Sequence, residues 1–144
     1  MSNVGIYFEK VNKRYKQRVE IKYKDYKERQ LGVIPMALKD LYNEVVSVKL
    51  PFGRIYSIEE AIEYSNSNQL FNTGWFLFGE NNEGDKWLCL YKPDNKGRLF
   101  NVCSLDSQFP YPLYNDLIEL LEDERYDFEE DLWNELLFDK NCII

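Results

Sequence analysis

Histidine is absent from all 144 residues, and cysteine occurs only at 89, 103 and 142. The missing imidazole removes the commonest general base and zinc ligand, so Ser-His and Cys-His nucleophile pairs and His-containing metal sites are excluded. Catalysis would fall to carboxylates, lysine or tyrosine. Three widely spaced cysteines in apolar surroundings suit free buried thiols in a reducing compartment better than a disulfide framework, which sets a cytoplasmic expectation. Long hydrophobic runs are lacking too. Val33 to Leu38 and Trp87 to Tyr91 fall far short of the roughly 20 residues that cross a bilayer, and Glu9 and Lys10 cut short any secretory core after Val4–Phe8. Neither the phosphate-cradling G-x-x-x-x-G-K-[ST] nor the dinucleotide G-x-G-x-x-G is present. No internal repeat and no linker rich in Gly, Pro or Ser interrupts the chain.

What is there is apolar and aromatic mass, 44% and 16% of the chain, enough to fill one core at this length. A single domain over 1–144 is expected. Its net charge of −7 is unevenly spread: residues 1–54 carry 12 Lys/Arg against 6 Asp/Glu, and residues 55–144 carry 6 against 19. Between 106 and 139 the acids number 12 and only Arg125 opposes them. Such a field attracts cationic partners and repels nucleic acid.

The period of the apolar pattern changes along the chain. In the first 30 residues Val11, Tyr15 and Val19 fall four apart, as in a helix, whereas Val19-Glu20-Ile21-Lys22-Tyr23 alternates like a strand. A helix is expected over Tyr23–Gln30, ending near Gly32. Its lysines and tyrosines would then be a solvated amphipathic face rather than a single-strand-binding surface of stacked bases. Pro35 suits the first position of another helix, with Leu38, Leu41, Tyr42 and Val45 on one face. Leu50-Pro51-Phe52-Gly53 breaks that pattern, and Arg54-Ile55-Tyr56 forms a short strand. Ser57-Ile58-Glu59-Glu60 is a capping box, which starts a helix with Ile58, Ala61 and Ile62 inward.

Residues 75–78 and 87–91 are apolar on both alternating faces, as suits strands covered above and below. Between them lies a polar loop bracketed by Gly79 and Gly84, with Asn81 and Asn82 tolerant of left-handed backbone. Asp85 is expected to accept backbone N–H groups in the turn. After a turn at Pro93–Gly97, Leu99–Cys103 adds a strand, so the middle of the chain is an antiparallel meander. Pro110 and Pro112 punctuate a loop. From Tyr114, Leu113, Leu117, Leu120 and Leu121 form a helical stripe with Asp116, Glu119 and Asp123 opposite. A further helix over Phe128–Phe138 would bury Phe128, Leu132, Trp133 and Leu136 and expose Glu129, Glu130, Asp131 and Glu135. The fold class is α+β, a mixed or antiparallel sheet with helices at both ends.

The order of Leu31-Gly32-Val33-Ile34-Pro35, Ile55–Ala61, the Trp75–Tyr91 hairpin with its W-x-x-F-G-x-x-x-x-G-D-x-W block, and the helix after Tyr114 resembles the SUKH superfamily. That superfamily groups many bacterial immunity proteins with a fungal cell-wall-assembly regulator. The resemblance covers roughly residues 25–125, with 126–144 an acidic helical extension. It implies a mixed sheet packed on one side by helices, with Pro35, Trp75, Phe78, Gly79, Gly84, Asp85 and Trp87 as the fold signature.

The hairpin loop holds three acids, but an EF-hand starting at Glu80 would need glycine at Asp85 and a bidentate acid at Tyr91, so no metal is expected. Acid pairs such as Glu119 with Asp123, or Glu130 with Asp131, lie on the polar sides of their helices, where water keeps carboxylates ordinary. No catalytic residue and no cofactor is assigned. The acidic surface reads as a protein-binding face, with Glu80, Glu83, Asp116, Glu119, Asp123, Glu129, Glu130 and Asp131 as contact residues. With the resemblance, the functional expectation is a non-enzymatic immunity protein, a monomer or weak homodimer. It would neutralise a basic, nuclease-type toxin domain, without nucleic acid or membrane as partner. The alternative is a regulatory or scaffold module of the cell-wall-assembly type.

Overall fold

The computed structural model describes residues 3–16, 18–24, 34–67, 74–90, 99–102 and 114–143, without the side chains of 36, 90, 99–102 and 133–143. The chain runs α1 (Asn3–Arg14), β1 (Glu20–Tyr23), a 3-10 turn (Met36–Leu38) continuing into α2 (Lys39–Glu44), β2 (Val45–Leu50) and β3 (Gly53–Ile55). It continues through α3 (Ile58–Ser67), β4 (Trp75–Asn81), β5 (Lys86–Leu90), β6 (Leu99–Val102) and α4 (Leu117–Ile143). The six strands form one sheet in the order β1-β2-β3-β4-β5-β6, every pairing antiparallel. The α+β expectation holds, and of its mixed and antiparallel forms the meander is the antiparallel one. Among the described residues no helix is long and apolar enough to cross a membrane.

The register sorts side chains into rows. Glu20, Lys49, Arg54, Glu80 and Lys86 lie opposite one another across five strands. On this row Glu80 stands between two cations and pairs with Arg54 at 3.1 Å and with Lys86 at 3.2 Å. The adjacent row is Ile21, Val48, Ile55, Gly79 and Trp87. Because side chains alternate between faces along a strand, this second row points to the opposite face. Val48, Ile55 and Trp87 belong to one core with Phe8 and Val11 of α1, Leu41 and Tyr42 of α2, and Leu117, Leu120 and Leu121 of α4.

Trp87 decides the glycines around it. A Cβ on Gly79 would lie 2.6 Å from the Arg54 carbonyl oxygen and 2.6 Å from the indole, and one on Gly53 would lie 2.6 Å from the far edge of the same ring. Two glycines on neighbouring strands thus form the floor on which the indole lies, and Trp87 is fully buried. Gly79 is therefore a strand residue and not the bracket of a loop. β4 continues to Asn81, with an irregularity in register between Leu77 and Gly79 that leaves Phe78 as the extra residue. Gly84, at φ +88°, is the turn glycine.

Other expectations are met or revised in the same physical terms. The capping box is present: Glu60 N–H donates to Ser57 Oγ at 3.2 Å and Ser57 N–H to Glu60 Oε1 at 3.4 Å. Pro35 precedes the 3-10 turn, and Leu38, Leu41, Tyr42 and Val45 are all buried. Val45 opens β2, however, a strand hidden behind that helical spacing. Tyr23 ends a strand, so the expected helix does not begin there; residues 25–33 lie outside the described residues, as do the Pro93–Gly97 turn and the Pro110–Pro112 loop. The two C-terminal helices are one of 27 residues, since nothing between Asp123 and Phe128 breaks a helix.

Gly79→Ala is expected to destabilise the fold by about 2–3 kcal/mol through overpacking against backbone and indole. Gly84→Ala, which strains a left-handed turn but meets nothing within 4 Å, is expected to cost about 1 kcal/mol. Urea unfolding of both variants checks this order; equal or reversed costs would remove the account of the glycine floor.

Candidate functional site

Helix α4 starts on a capping pair. Glu119 N–H donates to Asp116 Oδ1 at 2.8 Å, and Glu119 Oε2 accepts from Asn115 N–H at 3.2 Å. From there Leu117, Leu120 and Leu121 face the core, and the same 3–4 spacing carries Glu124 and then Phe128 inward. Glu124 is only 6% exposed. Its Oε1 accepts from the Trp87 indole N–H at 3.3 Å, and its Oε2 accepts from Asn81 Nδ2 at 3.2 Å. The helix is thereby joined to the end of the β4–β5 hairpin.

Asn81 also builds the turn. Its Oδ1 accepts from the N–H groups of Glu83 and Asp85, both at 2.9 Å, and its Nδ2 donates to Asp85 Oδ2 at 3.1 Å. The role expected of Asp85, accepting backbone N–H groups, thus belongs to Asn81, leaving Asp85 with a carboxylate held beside Glu124. Asn82 Nδ2 donates to the Pro51 carbonyl at 2.6 Å, which ties the turn to the neighbouring β2–β3 connection.

Between this turn and α4 opens a cleft of about 290 Å³, lined by Glu83, Asp85, Glu124, Asp127 and Asp131, by Asn81 and Asn82, and by Phe52, Phe128 and Leu132. Among the described lining residues, five carboxyl groups share the cleft with three apolar side chains, and none is a lysine or arginine. Phe128 is held in place by ring contacts with Phe52 at 6.4 Å and Tyr15 at 6.3 Å, and the Arg18 guanidinium lies 5.2 Å from its centroid. Leu132, expected inside, is 39% exposed at the rim. Among the described residues no three carboxylates or thiols converge closely enough to hold a metal ion.

Burial pushes the Glu124 carboxyl up to about 7. Hydrogen bonds from Asn81 and Trp87 oppose that rise, and the charges of Asp127 and Asp85 add to it. Asp127 is raised by burial and by Asp123, Glu130 and Asp131. Elsewhere on α4, Glu129 is occupied internally. It accepts from Arg14 Nε at 2.7 Å, from the Tyr15 hydroxyl and from Arg125 at 3.1 Å. Burial works to raise its carboxyl, but the Tyr15 and Arg14 hydrogen bonds and the Arg125 charge outweigh it and hold it below the ordinary value.

The structure therefore divides the eight acids expected to make contacts. Glu83 and Asp131 line the cleft, and Glu130 is exposed beside it. Glu80 lies on the opposite sheet row, where burial is outweighed by hydrogen bonds from Tyr56, Lys86 and Arg54 and its carboxyl stays low. Asp116 and Glu119 cap α4, Asp123 accepts from the Tyr114 hydroxyl, and Glu129 binds α1. Glu124 and Asp127 are not among the expected contacts, because that expectation draws only on acids on the polar sides of the helical patterns. The signal that finds Glu124 is its place three and four residues after Leu121 and Leu120. Of the cysteines, Cys89 is buried with a free thiol that burial raises; the side chains of Cys103 and Cys142 lie outside the described residues.

Comparisons of the chain with protein-family models, curated proteins and solved structures gave no match.

A carboxyl raised from 4.5 to about 7 is ionised in both folded and unfolded chains above pH 7 and protonated in both below pH 4.5. The native state is therefore penalised only at the alkaline end, by up to roughly 3 kcal/mol. Stability from Glu124 rises as pH falls from 8 toward 5. Glu80 and Glu129, held low, act with the opposite sign and lose their contribution below the ordinary carboxylate range. Urea midpoints are thus expected to peak between about pH 5 and 6. In Glu124→Gln the rise between pH 8 and 6 should largely disappear, and an unchanged rise would contradict the assignment.

Proposed function

We propose that this chain is a non-catalytic binding protein that docks a basic protein partner on the cleft side of α4 and the β4–β5 turn. The observation that supports it is the lining of the cleft: five carboxyl groups around an apolar wall of Phe52, Phe128 and Leu132. An arginine or lysine side chain matches that combination, because its stem is apolar and its head is cationic. A spread of carboxylates that does not converge on one point suits an organic cation better than a metal ion. The field of the remaining α4 acids would speed the approach of such a partner and disfavour nucleic acid.

The finer reading follows the SUKH-like motif order. The partner is a cognate polymorphic toxin, a nuclease-type domain with a cationic active-site cleft, and the chain is its cytoplasmic immunity protein, acting by stoichiometric occlusion. An inhibitor of this kind needs fast capture, which opposite charge supplies.

The test co-expresses the chain with the C-terminal domain of the adjacent gene's product, scoring survival and co-purification, then measures association by stopped flow. Asp127→Lys with Asp131→Lys is expected to slow association by about 10- to 100-fold at low salt and to flatten its salt dependence. Glu80→Gln, on the other sheet row, should leave the rate unchanged. If the double reversal has no effect, the cleft side of α4 is not the interface.

A further inference from the structure

Strand β1 ends the sheet, and among the described residues no strand pairs with its outer edge. Lys24 N–H, just past the strand, donates inward to the Glu44 carbonyl at 2.9 Å. Backbone groups alternate in direction along a strand, so Glu20 and Lys22 also turn theirs toward β2, where they stand opposite Lys49 and Ser47. Ile21 and Tyr23 therefore present N–H and C=O groups outward, a template on which a further strand can be added. The side chains of this edge sort by face. Val19 and Ile21 pack partly against the core, while Glu20 and Lys22 are exposed on the opposite face. Tyr23 is 54% exposed. Among the described residues neither Glu20 nor Lys22 takes part in an ion pair.

We propose that β1 is a dimerisation edge: it pairs antiparallel with β1 of a second copy of this chain about a two-fold axis at Ile21, joining the two sheets into one. A two-fold axis normal to the sheet keeps every residue on its own face. Ile21 then meets Ile21 of the second copy and exchanges both outward backbone bonds with it, Val19 meets Tyr23, and Glu20 meets Lys22 twice. A lysine on an edge strand ordinarily keeps other strands away. Here the symmetry carries a glutamate opposite it, which a strand of unrelated sequence would not supply. Sliding the register one step either way sets Glu20 against Glu20 or Lys22 against Lys22, so charge selects the register centred on Ile21. A four-residue strand and two exposed ion pairs make a short seam, and the dimer is weak and concentration-dependent. β1 contributes none of the described lining residues of the acidic cleft. The dimer thus carries two clefts, and it stands or falls independently of the docking reading.

Sedimentation velocity of the full chain, from micromolar to millimolar concentration, reads the association. The wild type is expected to pass from monomer to dimer across that range. Glu20→Lys and Lys22→Glu, both at exposed positions, should each weaken dimerisation by about tenfold, and the two exchanges combined in one chain should restore it. Cysteine substitution reads the register. With Cys103→Ser and Cys142→Ser in the background and the buried Cys89 left in place, Glu20→Cys and Lys22→Cys chains are mixed and oxidised with diamide. They should crosslink to each other ahead of either to itself, because directly opposed residues of a non-hydrogen-bonded pair hold their Cα atoms about 4.5 Å apart, within disulfide reach. A chain that stays monomeric over the whole range overturns the proposal, as does a dimer indifferent to the charge exchanges or one in which either cysteine chain crosslinks preferentially to itself. Protection of the Ile21 amide from hydrogen exchange at the lowest concentration overturns it too, since another segment of the same chain would then cover the edge.

Discussion

The rest of the structure depends on where a single indole is placed. Trp87 lies fully buried on a floor of two glycines, and its one polar atom must therefore find an acceptor inside the protein. The acceptor is Glu124, carried in by the helix that closes that face of the sheet. A buried carboxyl is costly unless its oxygens are satisfied, and here the second oxygen is met by Asn81, the residue that also organises the turn. Strand, turn and helix are thus fixed by one connected set of polar bonds in a largely apolar core. Replacing any member leaves another unsatisfied, which ties the shape of the cleft to the packing of the sheet.

The charge asymmetry of the sequence acquires a spatial meaning. The basic N-terminal part and the acidic C-terminal helix are not simply opposite ends of a dipolar molecule, because Arg14 of α1 folds onto α4 and takes up Glu129, and Arg18 lies over Phe128. One side of α4 is therefore compensated within the chain. The other side, where Asp127 and Asp131 face the hairpin turn, lines a cleft without a cation among its described lining residues. The acidic surface narrows from a whole helix to one flank of it. That flank is where apolar wall and negative charge coincide, the combination a long cationic side chain can use.

Much of this was legible in the sequence. The hairpin around Gly84, the capping box at Ser57, the strand at Arg54–Ile55 and the apolar stripe of α4 all follow from local chemistry acting at fixed spacing, and the structure contains each of them. Gly79 was misread because a glycine next to a polar stretch suggests a turn, whereas its actual constraint is an indole contributed by the next strand. β2 was hidden because Val45 also completes a helical face. The cleft was only half visible: Glu83 and Asp131 were named from charge, but Glu124 is defined by contacts 37 and 43 residues away along the chain. Sequence spacing alone places that residue inward; only the meeting of helix and hairpin explains how a carboxyl can remain there.

The central claim is that the flank of α4 over Glu124 is the docking surface for a basic partner, and a structure of the chain bound to that partner tests it most directly. The account predicts an arginine or lysine of the partner inside the cleft, its cationic head within ion-pair distance of Asp127 or Asp131 and its stem against Phe128. A complex in which the cleft stays open to water while the partner sits elsewhere on the protein would contradict it.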